Sequence, residues 1–167
     1  DEGSSVESCW TRHSNNSYYV YPNISDEYSF DGNCSLEFSS GSSTYSFIVL
    51  PVMADDITTL ELNFNSYCFD YAINSNIIVG VMTDPNDLTT IATIANITPS
   101  EANVWEGNRV MFTDYEGDGH YIVIGSRYTS SNYFIDNIRV DYIQSCLVPS
   151  HITVDSATTS SALISWD

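Results

Sequence analysis

The stretch TLELNFN at 59–65 places Leu60, Leu62 and Phe64 on one side of an extended chain and Glu61, Asn63 and Asn65 on the other. A period of two belongs to a strand with one face in a core and one in water. Strand-like segments recur along most of the chain, at 17–24, 34–40, 45–53, 59–69, 76–84, 91–97, 108–115, 120–128 and 133–143. Turn signals such as SSGSS, DPND, EGDG and TSSN separate them. No stretch carries the 3.6-residue period of an amphipathic helix. Many short strands at this spacing argue for an all-β protein, a two-sheet antiparallel β-sandwich. IIVGVM and SFIVLPVM are apolar on both faces, as central strands covered on both sides would be.

Charge narrows the partners. Twenty-two acidic residues stand against four arginines (Arg12, Arg109, Arg127, Arg139) and no lysine, for a formal net charge of −18. Such a chain repels phosphate backbones, which argues against nucleic acid, and anionic membrane surfaces are disfavoured for the same reason. The longest apolar run, FIVLPVMA at 47–54, falls far short of the roughly 20 residues of a spanning helix, so no membrane insertion is expected. With 43% apolar residues the chain is nevertheless too hydrophobic to stay unfolded. The start, DEGSSVES, has neither the basic nor the apolar part of a leader and reads as a mature or trimmed end. Tyr, Ser, Asn and Thr richness without lysine points to an extracellular or cell-surface, secreted protein.

Four cysteines (Cys9, Cys34, Cys68, Cys146) form no CxxC pair, which argues against zinc; three complete disulfide pairings, or none, are compatible with them. DYEGDGHYIVI at 114–124 spaces Asp114, Glu116 and Asp118 like the front of a calcium loop. Its twelfth position, however, is Gly125 rather than a carboxylate, and the residues after Gly119 are strand formers. It reads as an acidic turn between strands.

SCWTR, GNCSLEF, VGVMTDPNDLTTIATI, TDYEGDGHYIVIGSRY and NYFIDNIRVDYIQSC together resemble the MAM-like jelly-roll modules of secreted bacterial multidomain proteins. That group contains the cleaved-adhesin and choice-of-anchor domains. The resemblance spans about residues 6–146, so the first domain is set at 1–146. It implies a jelly roll without catalytic machinery, used for adhesion or glycan binding. It also implies a structural Ca2+ site, whose ligands by position are Asp31 and Asn33 of FDGNCSLEF and Asp136 of FIDNI. For Asp136 the alternative is a carboxylate capping backbone amides at a strand crossing. The resemblance further implies a Cys9–Cys146 disulfide joining neighbouring terminal strands, with Cys34 and Cys68 as buried thiols.

Residues 147–167 differ in texture. Pro149 is followed by two short strand patterns that resemble strands A and B of a fibronectin type III domain, with Trp166 as its core tryptophan. The chain is accordingly expected to be part of a longer parent with further domains. A hairpin packed on the main domain is the alternative.

Neither a GxSxG nor an HExxH motif is present, and His13, His120 and His151 are scattered, so no enzyme is expected. Binding has better material. The parity of 59–69 places Tyr67, Phe69 and Tyr71 on the face of Asn63 and Asn65, unless a bulge intervenes. Aromatic rings beside amides are what sugar-binding faces use. Tyr18, Tyr19, Tyr21, Tyr128 and Tyr133 are second candidates, and packing under loops is the alternative for any of them. The expected partner is a glycan or a surface protein; the rival is a structural spacer without a ligand, supporting an attached enzyme.

Overall fold

Where the period of two is kept, the chain pairs. A computed structural model of the protein describes residues 9–15, 22–41, 43–73, 76–127, 131–144 and 152–165. Its strands are β1 (Thr11–Ser14), β2 (Asn23–Ser25), β3 (Ser35–Ser40), β4 (Tyr45–Val49), β5 (Leu60–Cys68) and β6 (Ile77–Met82). They continue with β7 (Ala92–Ile97), β8 (Trp105–Met111), β9 (Tyr121–Arg127), β10 (Ser131–Tyr142), β11 (Thr153–Ala157) and β12 (Ala162–Ser165). The only helical structure among the described residues is three single 3-10 turns. Two of them are capped by Asp56 and Asp87, which accept from the amides of Thr58 and Thr89.

Two five-stranded antiparallel sheets, ordered β1-β4-β9-β6-β7 and β2-β3-β10-β5-β8, make the sandwich, a jelly roll. The strand pattern of the sequence survives with instructive exceptions. β1, beside the first cysteine, is an additional edge strand. β4 ends at Val49 because Pro51 has no N–H to give the ladder, yet Leu50 and Met53 still donate to the carbonyls of Ile122 and His120, each at 2.8 Å. β8 starts at Trp105, earlier than expected, and stops at Met111, where the Phe112–Tyr115 turn begins. Of the expected 17–24 strand, residues 17–21 lie outside the described residues.

Inward positions of both sheets supply the core. Phe38, Ile48, Leu62, Phe64, Val79, Val81, Ile122, Ile124 and Ile135 are all buried there. Tyr133 is one of them. It stacks on Phe38 at 5.0 Å, and burial pushes its phenol far above the ordinary range, so it is a core residue rather than a surface ring. The outer face of the first sheet is apolar too. Phe47, Val49, Ile78, Met82 and Val123 pack there with Leu88 and Ile91, as the doubly apolar β4 and β6 require. The acidic 114–119 segment is a turn, with Gly119 N–H donating to the Tyr115 hydroxyl at 2.9 Å.

One irregularity sets up the second sheet. Along β10, Asp136 pairs with Asn65 and Arg139 with Asn63, so Asn137 and Ile138 together face the single residue Phe64. Asn137 has φ of 53°, a left-handed conformation that Asn tolerates better than most residues. Its Nδ2 donates to Asn65 Oδ1 at 3.2 Å. This bulge inverts the parity of β10: Ile138 and Val140 turn to the core, while Arg139 and Asp141 turn outward.

β11 and β12 pair only with each other, and every residue of the two strands is exposed, Val154 and Leu163 included. The hairpin is therefore not packed on the sandwich among the described residues. Trp166 lies outside them.

Asn137→Val is expected to cost about 2–3 kcal/mol in chemical denaturation, from a β-branched residue in left-handed backbone and a lost hydrogen bond. Asn137→Gly is expected to stay within about 1 kcal/mol of the parent.

Candidate functional site

The outer face of the second sheet divides at the bulge. Before it, the face is aromatic. Tyr67 of β5 lies opposite Trp105 of β8 and Phe134 of β10. The segment between β2 and β3 folds over these rings. Tyr28 stacks on Tyr67 at 4.9 Å and meets Phe134 at 5.1 Å and Phe69 at 5.4 Å, while Phe30 packs edge-on to Trp105 at 5.8 Å. Burial is the main reason the Tyr67 phenol is pushed above its ordinary value.

Asp136 pins this covering segment. Its Oδ2 accepts the amides of Phe30 (2.8 Å) and Asp31 (3.0 Å), and its Oδ1 accepts Asn137 N–H at 2.7 Å. Asp31 turns its own Oδ1 to Gly32 N–H at 2.8 Å, where Gly32 has φ of 67°. Asn33 is exposed in the same segment. Of the residues expected to hold calcium, Asp31 and Asp136 are thus neighbours, joined by a carboxylate-to-amide hydrogen bond, with Asn33 two positions beyond Asp31. Among the described residues no group of three or more His, Cys, Asp or Glu side chains is arranged to hold a metal.

After the bulge the face is polar and open. A cleft of about 530 Å³ lies over β5, β8 and the end of β10. Its floor is Glu61, a buried carboxylate whose Oε2 accepts both Nε (2.9 Å) and Nη2 of Arg109 from the next strand. Asn63 Nδ2 bridges two acids, lying 3.1 Å from Glu61 Oε1 and 3.3 Å from Asp141 Oδ2. The Arg109 hydrogen bonds hold the Glu61 carboxyl below its usual range, and the Arg109 guanidinium is raised in return. Arg139 flanks the cleft, its Nε 3.7 Å from Asp141 Oδ2. At one end Tyr142 leaves 60% of its surface exposed and Gln144 adds an amide. The neighbouring Asp55 carboxylate raises the pKa of the Tyr142 hydroxyl.

The expected binding residues are therefore split. Asn63 lines the cleft. Asn65 is tied to Asn137 at the bulge, and Tyr67 and Phe69 belong to the covered cluster. Tyr71 has its backbone in the Asp70–Ala72 turn, and its side chain lies outside the described residues, as do Tyr18, Tyr19, Tyr21, Tyr128 and His151. Glu61, Arg109, Arg139, Asp141 and Tyr142 are the residues that sequence reasoning missed. The parity of 59–65 pointed to Glu61, but nothing local pairs it with Arg109, 48 positions away. Cys9 is exposed and its expected partner Cys146 lies outside the described residues; Cys34 is half-buried and Cys68 buried, both free thiols.

No protein-family model matches the chain, and no curated protein matches it. Solved structures do. The K1 cleaved adhesin domain of Lys-gingipain from Porphyromonas gingivalis W83 superposes with a TM-score of 0.62 at 10% identity, covering 83% of this chain and 94% of that one. The K2 cleaved adhesin domain of the same protein gives 0.61 at 12% identity, over 81% of this chain and 89% of that one. The CBM22-1 xylan-binding domain of Paenibacillus barcinonensis Xyn10C gives 0.56 at 12% identity, over 82% and 87%. The chain has the fold shared by cleaved adhesin domains and carbohydrate-binding modules.

Because Glu61 has a depressed folded-state pKa, the stability it contributes is present above its unfolded value, 4.5, and is lost as pH falls through the folded value. Glu61→Gln is accordingly expected to melt below the parent at pH 7, with the gap in Tm closing as pH drops from about 4.5. Thermal melts of both proteins between pH 7 and 3 check this.

Proposed function

We propose that this domain is a non-catalytic carbohydrate-binding module of a secreted or surface protein, with the polar cleft as its binding site. The observation that carries the reading is the open cleft itself, where the exposed Tyr142 lies at one end and the donors of Arg109, Arg139 and Gln144 stand beside the acceptors of Glu61 and Asp141. Pyranose rings offer an apolar face for stacking and hydroxyls for such donors. The fold supports the reading, since it is shared with modules described as carbohydrate-binding and xylan-binding.

The chemistry of the cleft argues for binding without turnover. A glycosidase acid needs a carboxyl with a raised pKa. Glu61, the one buried carboxylate among the described residues, has the opposite shift, and its oxygens are committed to Arg109 and Asn63. No helix of the described residues is long and apolar enough to cross a membrane.

Structural calcium at Asp31, Asn33 and Asp136 remains part of the proposal, as does a Cys9–Cys146 disulfide. Calcium there would share the Asp136 carboxylate with the three amide donors it already accepts. The ion would sit under the covering segment, on the far side of the bulge from the cleft. It would act on stability rather than on the ligand. The fibronectin type III reading of 147–167 is likewise proposed. The exposed apolar side chains of β11 and β12 support it, since paired strands of an incomplete sandwich leave their inner faces open.

A glycan array with the purified protein tests the function, once with millimolar calcium and once with chelator. A glycan hit is expected in both conditions, and Tyr142→Ala is expected to weaken it roughly tenfold or more, a loss worth about 1.4 kcal/mol. A blank array in both conditions would turn the reading toward protein adhesion or spacing.

A further inference from the structure

Two of the chain's four positive charges, in a protein of net charge −18, line the same cleft. They are not equivalent to the acids beside them. The Arg109 side chain is 54% exposed and Glu61, its partner, only 10%. Arg139 is 63% exposed against 49% for Asp141. The guanidinium group is the more exposed member of each pair, while the formal charges of the two acids and two arginines cancel.

The donors are also available. Arg109 spends Nε and Nη2 on Glu61, which fixes the plane of its fork and leaves Nη1 uncommitted among the described residues. Arg139 touches Asp141 only at 3.7 Å, too long for a hydrogen bond, so its guanidinium has no hydrogen-bond partner among the described residues. Planar guanidinium forks match carboxylates, with which they form short, paired, charge-assisted bonds. Neutral sugars offer hydroxyls, which need no fork.

We propose that the cleft selects carboxylate-bearing glycans: a uronic acid residue whose carboxylate lies between Arg139 and the free edge of Arg109. The inference rests on the carbohydrate-binding reading and narrows it to acidic sugars. The bulge in β10 is what makes it geometrically possible, because without the extra residue Arg139 would point into the core. The acidic remainder of the surface repels a polyanion at long range. That repulsion is largely screened beyond about 8 Å at physiological salt, whereas contacts inside the cleft persist.

The test is affinity electrophoresis and calorimetry at 0.15 M salt, a working ionic strength with a Debye length of about 8 Å. The probes are polygalacturonate, alginate, glucuronoxylan and hyaluronan, each paired with its own carboxyl-reduced form. At least one native polymer is expected to bind roughly tenfold or more tightly than its reduced counterpart. Arg139→Gln is expected to abolish that preference, and Arg139→Lys to restore only part of it. Arg139 is well exposed, so neither variant threatens folding; matching melting curves with the parent confirm it. Equal binding to native and reduced forms, or binding only to neutral glycans on the array, would overturn the acidic-sugar assignment and leave the carbohydrate-binding reading standing. A preference unchanged in Arg139→Gln would move the site away from this cleft and overturn the assignment too. Silence with every native, reduced and neutral glycan would overturn both.

Discussion

Asn137 and Ile138 stand opposite a single residue of β5, and the outer face of the second sheet is organised around that extra residue. β10 is hydrogen-bonded on both sides, to β3 and β5, so a change of parity within it is felt across the sheet. On one side of the bulge, Phe134 and Asp136 face outward and serve to hold a covering segment. On the other, Arg139 and Asp141 face outward and serve a cleft. A regular strand would have sent Ile138 to solvent and Arg139 to the core, burying a guanidinium among Leu62, Phe64 and their neighbours at a cost of several kcal/mol. The Asn137 amide, bound to Asn65, ties the irregular backbone to the strand beside it.

The aromatic half of the face shows how hydrophobic burial competes with ligand access. Tyr67, Phe69, Trp105 and Phe134 would make an open stacking surface if the β2–β3 segment stood away. Instead Tyr28 and Phe30 close over them, and the desolvation gained by ring-on-ring packing is secured by a carboxylate that accepts backbone amides. The polar half has no such cover. Its side chains satisfy one another in the plane of the sheet, through Arg109, Glu61, Asn63 and Asp141, and keep their remaining donors outward. Aromatic content thus marked a surface that the fold uses for itself. Tyr142, at the sheet's end, leaves its ring facing solvent.

Much of the sandwich was legible in the residues. The period of two in 59–65 correctly assigned the inner and outer faces of β5, and the doubly apolar β4 and β6 correctly announced cover on both sides. The failures are local and have physical causes. β1 is too short and too polar to stand out in a strand search. β4 breaks at Pro51, whose missing N–H ends the ladder two residues after the last paired position. Tyr133 reads like a surface ring in a serine-rich turn, but its parity against Phe38 puts it in the core. None of the residues of the Arg109–Glu61–Asn63–Asp141 network is conspicuous alone, because charged and amide side chains on a wet face are ordinary.

Strand identity and facing came from the chain itself, since alternation is a property of neighbouring residues and needs no partner to be read. Acidic excess, the scarcity of cations and the absence of a long apolar run are likewise sums over the sequence, and they excluded partners before any fold was known. What only the tertiary structure decided was proximity: that the segment around Tyr28 lies on Tyr67, that Arg109 reaches Glu61 from another strand, and that β10 takes on an extra residue at Asn137. These depend on strand order and register, which are set by the packing of two whole sheets against each other. No local pattern carries that information, and the same alternating strands could have been ordered to bring other side chains together.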